Sequence, residues 1–241
     1  MANRPTKRET VRDELLALIE TSPPGSPIPS ERELALRFGI SRMTARQAVD
    51  LLVNAGTVVR RQGAGTFVAH RPFSLPLRLA SFSADARSHG SVPGAIRVSQ
   101  GLIEADAALA SVLDVVPGEK IVSVVRVRTA DGERLAVERA HFVARMVPGL
   151  ESVDLEDTSL YEAIAAKYAI SLETGEQRIQ ASACSQENAR LLGVRPGAPM
   201  LHMTRTTSWR GIPCEFTASE YRGDRVELVT SLLPSRIASD V

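Results

Sequence analysis

Cysteine is scarce in this chain of 241 residues: only Cys184 and Cys214 occur, at no spacing that chelates a metal. A disulfide scaffold and a zinc module are both excluded, and two inert thiols in a reducing compartment are expected. The four histidines, His70, His89, His141 and His202, stand singly, which favours structural or surface roles over metal ligation. No cofactor motif occurs, and no cofactor is expected. Long apolar runs are missing too, so no segment can span a bilayer as a helix. The first nine residues are polar and charged, without the apolar stretch of a secretion signal, and the expected location is the cytoplasm. Net charge is almost lacking at +1, which looks unpromising for a nucleic-acid binder, but the average hides an asymmetry. Residues 1–71 carry 11 Lys and Arg against 7 Asp and Glu, and the remainder carries 18 against 21. The basic end is therefore the end suited to a polyanion. With 44% hydrophobic residues the chain can bury one or two cores.

Within that basic end the stretch Pro29–Val68 is dense in signals. Ser30 followed by Glu33 is a capping box opening a short helix with Leu34, Ala35 and Phe38 inward. Gly39 supplies a left-handed turn, and Ser41 caps a second helix running to about Leu52. Helix, glycine turn and helix make a helix-turn-helix. In the second helix Ala45, Ala48, Val49 and Leu52 face the core, leaving Ser41, Arg42, Thr44, Arg46 and Gln47 on the leading face. Arginines there suit guanine edges in a major groove, while hydroxyls and the helix N-terminus suit phosphate. Val58–Arg61 and Thr66–Val68 then read as two strands around Gln62, Gly63, Ala64 and Gly65, a wing. Gly63-Ala64-Gly65 is no phosphate loop, because no Gly-Lys-Ser/Thr follows and no helix opens there.

The strings Pro-Ser-Glu-Arg-Glu-Leu, Ser-Arg-Met-Thr-Ala-Arg-Gln-Ala and Arg-Gln-Gly-Ala-Gly-Thr-Phe-Val together closely resemble the GntR family of transcription regulators. The remainder resembles the HutC-type subfamily with its UTRA effector domain. The resemblance implies DNA contacts at Arg32, Ser41, Arg42, Thr44, Arg46, Gln62, Gly63 and Gly65. It also implies an α+β fold, with a winged helix-turn-helix at residues 1–70, a linker at 71–76, and at 77–241 an antiparallel-sheet domain similar to chorismate lyase.

Read in order, residues 8–21 place Val11, Leu15, Leu18 and Ile19 at helical spacing, and Pro23–Pro27 form a stiff loop. The prolines from Pro72 to Pro76 predict an extended linker without ladder bonds. Beyond it Val115, Pro117, Gly118, Arg126 and Gly132 recur as Val194, Pro196, Gly197, Arg205 and Gly211, each displaced by 79. A short helix leads through Val-x-Pro-Gly into a hairpin in both copies, at Asp106–Leu113 and Gln186–Leu192. This predicts a pseudo-two-fold axis with a cleft between the copies. In the first hairpin Val122, Val124, Arg126 and Arg128 share one strand face. A three-residue turn at Ala130-Asp131-Gly132 puts Arg134, Ala136 and Glu138 on that face; a two-residue Asp131-Gly132 turn sends Glu138 to the other.

Paired guanidiniums fit a phosphate or carboxylate, and Ser159 at a helix start can add a hydroxyl and backbone amides. A further hydroxyl comes from Ser81 or Ser83. As plain chemistry, Arg126 and Arg128 could equally be surface charges paired with Glu138, and Tyr161 and Tyr221 core-edge aromatics. The UTRA resemblance favours the three-residue turn and implies an effector site of Arg126, Arg128, Glu138, Ser159, Tyr161, Glu215 and Tyr221. Arg222-Gly223-Asp224 reads as a turn between the last strands. The expectation is a regulator rather than an enzyme: a homodimeric repressor on a near-palindromic DNA operator, released by a small anionic metabolite such as a sugar phosphate or phosphonate. An enzyme of chorismate-lyase-like fold and a constitutive DNA binder are the competing classes.

Overall fold

The computed structural model describes residues 6–69 and 72–232; His70 and Arg71 fall outside them. The chain divides between Arg71 and Pro72 into two compact units. In the first unit, α1 (Lys7–Thr21), α2 (Glu31–Phe38) and α3 (Arg42–Asn54) precede a hairpin of β1 (Val58–Arg61) and β2 (Gly65–Val68). Capping explains each start: Thr6, Ser30 and Ser41 each accept a bond from the amide three residues on, and Glu9 and Glu33 complete capping boxes on α1 and α2. Gly39 ends α2 in the left-handed region at φ 59°, where no side chain opposes the turn. Val11, Leu15, Ile19, Leu34, Ala45, Ala48, Val49, Leu52, Val58 and Val68 close one core. Leu18, expected in the same stripe, is 37% exposed instead. The proline loop is pinned to the wing, with Ile28 donating to Thr66 O at 2.9 Å and Val68 to Ser26 O at 2.8 Å.

The second unit opens with β3 (Phe73–Pro76), α4 (Phe82–Ser88), β4 (Pro93–Glu104), α5 (Ala107–Leu113), β5 (Lys120–Ala130) and β6 (Glu133–Val143). After two 3₁₀ turns come α6 (Leu160–Tyr168), β7 (Thr174–Ala183), α7 (Gln186–Leu192), β8 (Pro199–Trp209), β9 (Ile212–Arg222) and β10 (Val226–Val229). Six strands form one antiparallel sheet in the order β4-β5-β6-β9-β8-β7. The architecture is α+β. Expected as a linker, Phe73–Pro76 is instead a strand, paired in parallel with Val226–Val229. Phe73 and Leu75 alternate inward against Phe82 and Tyr221, and Pro76 stands at the strand's last position, where its missing N–H costs little. Gly223 and Asp224 lie in the turn between β9 and β10.

The sheet order is that of two β-α-β-β copies meeting at β6 and β9. Arg139 and Ala218, 79 residues apart, pair directly across that junction, so the pseudo-axis passes between them. Both hairpins close on two-residue turns with positive φ, Asp131-Gly132 and Arg210-Gly211. A bulge follows each, leaving Leu135 and Cys214 out of register. The expected three-residue turn is therefore absent, yet Glu138 still pairs with Arg126, because the extra residue at Leu135 reverses the parity of the strand beyond it. Arg134, ahead of the bulge, faces away and donates to Leu191 O at 2.9 Å.

Leu34 is 1% exposed beneath α1 and α3. Leu34→Ala should cost about 2–5 kcal/mol of the first unit's stability. Hydrogen exchange at the buried α3 amides would read this, and protection equal to wild type would contradict the packing described.

Candidate DNA-reading surface and anion pocket

In the first unit the core residues of α3 turn Arg42, Arg46 and Gln47 outward, all exposed, with Thr44 half-buried beside them. Ser41 is committed to its cap, its Oγ 3.0 Å from the Thr44 amide and 2.9 Å from Thr44 Oγ1. Arg32 is exposed in the first turn of α2, and Gln62, Gly63 and Gly65 are exposed at the wing tip. Gly63 and Gly65 have φ of 73° and 118°, so the tip needs residues without a Cβ. All eight DNA-binding candidates thus belong to α2, α3 or the wing, although Ser41 has its hydroxyl engaged. One feature the sequence did not give is the role of Arg60: its Nη2 lies 2.9 Å from Asp50 and 3.1 Å from Glu31, tying the wing to both helices. Arg61 lies over the Phe67 ring at 4.7 Å.

In the second unit, strand alternation along β5 buries Val122 and Val124 at one end of a sheet face and presents Arg126 and Arg128 further along. Arg126, Arg128, Glu138, Ser159, Tyr161, Glu215 and Tyr221 all line one pocket there, with Ser81 and Ser83. Ser159 caps α6 and is buried, its Oγ 3.4 Å from the Glu162 amide. Arg126 is 2% exposed; it bonds Glu138 at 2.5 Å and Thr158 O at 3.1 Å, and its Nε has no partner. Arg128 is also 2% exposed, stacks on Phe82 at 4.7 Å and donates one bond, 2.8 Å to Ser83. Among the described residues its Nε and Nη1 have no partner. Burial works to lower the Arg128 pKa, while Glu138 works against that. For Glu138, burial pushes upward but Arg126 and Arg128 outweigh it, holding the carboxyl below its ordinary range.

Across the pocket Glu215 is 1% exposed and accepts from three hydroxyls: Thr207 and Thr217, each at 2.5 Å, and Tyr161 at 3.0 and 3.1 Å. Burial raises its pKa despite those donors. Burial and the nearby Glu215 also push the Tyr161 phenol well up, so it stays a neutral donor. Arg205, which sequence reasoning passed over as a site residue, lines the same pocket. The signal was present, since Arg205 is the repeat-mate of Arg126.

A winged helix-turn-helix joined to a second unit with an arginine-lined pocket defines a class, the two-unit DNA-binding regulator. Comparison with known proteins narrows this. The gntR family of bacterial regulatory proteins matches residues 7–68, and the UTRA domain matches residues 88–227. The chain belongs to the GntR family of transcription regulators, in its HutC-type, UTRA-containing branch. It is 38% identical over 208 residues to the HTH-type transcriptional repressor NagR of Bacillus subtilis, covering 86% of this chain and 85% of that protein. It is 34% identical over 226 residues to the repressor PhnF of Mycolicibacterium smegmatis, covering 93% and 92%. The crystal structure of PhnF from Mycobacterium smegmatis aligns with a TM-score of 0.72 at 33% identity, covering 92% of this chain and 99% of that one.

Glu138→Gln keeps the shape but removes the charge facing two buried guanidiniums, and should destabilise the second unit by about 3 kcal/mol at neutral pH. A folded pKa below the ordinary value gives stability that is present above the unfolded pKa and lost as pH falls through the folded one. The gap between wild type and variant should therefore hold at neutral pH and close below the ordinary carboxylate range. Urea denaturation across that range checks it, and a gap independent of pH would refute the assignment.

Proposed function

We propose that this regulator is a homodimeric repressor that leaves a near-palindromic operator when a small anion, of the phosphate ester or phosphonate class, occupies the pocket of its second unit. The observation that carries the reading is Arg128: a guanidinium 2% exposed, with two nitrogens unpartnered and no acid bonded to it among the described residues. A buried cation in that state is costly unless something else completes it, and a tetrahedral oxyanion offers the matching acceptors. Ser83, Ser159 and the first amides of α6 supply further donors to the same group. The names of NagR and PhnF as repressors support the sign of the response. The ligand leaves unchanged; it acts as a signal, not a substrate.

DNA reading falls to Arg42 and Arg46, with the wing glycines bringing backbone close to the duplex and Arg32 meeting phosphate. One recognition helix covers only a few base pairs, and a two-fold assembly on a two-fold site multiplies the discrimination. Arg46→Ala should cost roughly 1–3 kcal/mol per half-site and relax the preference at one base pair. Binding measured on operator and scrambled duplexes decides this, since an unaltered ratio between the two would remove Arg46 from base reading.

Effector control is tested by Arg128→Ala. Operator affinity without ligand should stay near wild type, while a phosphate ester that releases the wild type from DNA should no longer release the variant. Release of both proteins at the same ligand concentration would mean that the arginine pair is structural.

A further inference from the structure

The two copies of the repeat present the same pocket with different chemistry. At matching register, Arg126 on β5 pairs with Glu138 and Arg205 on β8 pairs with Thr217. Two residues further along, Arg128 pairs with Ala136 and Thr207 pairs with Glu215. The acid that neutralises the first arginine has thus been replaced by a hydroxyl in front of its repeat-mate.

What Arg205 bonds is therefore all neutral. Its Nε donates to Gln177 Oε1 at 2.8 Å, and its Nη1 to Ala80 O at 3.0 Å and to the Tyr161 hydroxyl at 3.4 Å. Among the described residues Nη2 has no partner, and Gln177, having accepted through its oxygen, keeps its amide N–H groups as donors. Both residues line the pocket. Glu215, on this side of the pocket, is one hydroxyl removed through Tyr161 and already accepts from three hydroxyls. Strands β5 and β8 are three strand spacings apart, about 14 Å, so the two arginines enter from opposite sides of one cavity.

We infer that Arg205 is a specificity-determining residue: with Gln177 it forms a second pole that takes a carbonyl-type oxygen, an amide carbonyl or a carboxylate, on an effector whose anionic head sits at Arg128. This rests on the anion pocket proposed above. It selects among phosphate-bearing molecules, because an ammonium placed there meets the like charge and the N–H groups of Arg205, whereas a carbonyl or carboxylate oxygen accepts from them. A planar fork suits a two-lone-pair oxygen or a carboxylate, and the rigid Nε bond to Gln177 holds the fork in place.

The test uses the full-length protein, calorimetry, and four probes sharing the phosphate: inorganic phosphate, a hexosamine 6-phosphate, its N-acetyl derivative, and 6-phosphogluconate. Wild type should bind the N-acetyl derivative or 6-phosphogluconate at least about tenfold more tightly than the free amine, the range for a hydrogen bond to a charged group. Which of the two is preferred separates an amide carbonyl from a carboxylate. Arg205→Met should erase that preference by weakening the oxygen-bearing probe about tenfold or more while moving inorganic phosphate far less. Arg205→Lys keeps the charge but not the fork, and should restore less than half of the lost preference on a logarithmic scale. Equal weakening of all four probes would make Arg205 a general electrostatic or structural residue and overturn the inference. So would a preference that survives in Arg205→Met, or a wild type with no preference. Failure of the anion site itself is distinguishable, because Arg128→Ala would then leave inorganic phosphate binding as in wild type.

Discussion

A guanidinium buried without an acid of its own is the constraint around which the second unit is built. Arg128 sits 2% exposed on a sheet face whose neighbours are Phe82, Ser83 and the paired Arg126 and Glu138. Charge of that kind is unfavourable in a core, and the fold tolerates it only where surrounding groups partly offset the loss of water. The offsets are visible. The Phe82 face receives the cation, Glu138 lies within electrostatic reach, and the neighbouring apolar clusters leave a pocket between them. On the proposed function, a ligand bound at Arg128 would return the stability surrendered there.

Duplication explains how the pocket came to be lined from both sides. Each copy contributes one hairpin, each hairpin carries a positive-φ turn and a bulge, and the bulges keep the pocket-lining residues on the shared face. Without Leu135 out of register, Glu138 would point away from Arg126 and the cationic pair would lose its bonded acid. The copies differ in charge: one sets arginine against glutamate, the other sets arginine against threonine and carries its glutamate two positions away, among three hydroxyls.

Much of this was legible in the sequence where the signal is local. Capping residues, the glycine turn and the apolar stripe of α3 specify the helix-turn-helix almost unaided, and the wing follows from alternation around Gly63 and Gly65. The 79-residue displacement predicted the duplicated helix-hairpin unit and the pseudo-two-fold axis between its copies, though not the strand ahead of each helix. Four other things were not legible. Phe73–Pro76 read as a linker because its ladder partner, Val226–Val229, lies some 150 residues away in sequence and is parallel, and prolines argued against a strand. The hairpin turn was misread because a bulge can restore the register that a two-residue turn removes, and nothing in the residue types around Leu135 announces one. Arg205 was visible only as a member of the repeat, since its importance depends on which side chains fail to neutralise it. Arg60 was hidden for a like reason, its acids Glu31 and Asp50 coming from two other helices.

The central claim is that anion binding at Arg128 and operator binding by the first unit are one coupled equilibrium. Thermodynamic linkage makes the claim strict, because the factor by which a ligand weakens the operator complex must equal the factor by which operator weakens the ligand complex. The direct measurement is a closed cycle, in which affinity for a phosphate ester is determined with and without saturating operator duplex and operator affinity with and without saturating ester. The account predicts two equal factors, each about 5–150-fold. A phosphate ester bound with the same affinity whether or not operator is present would contradict it.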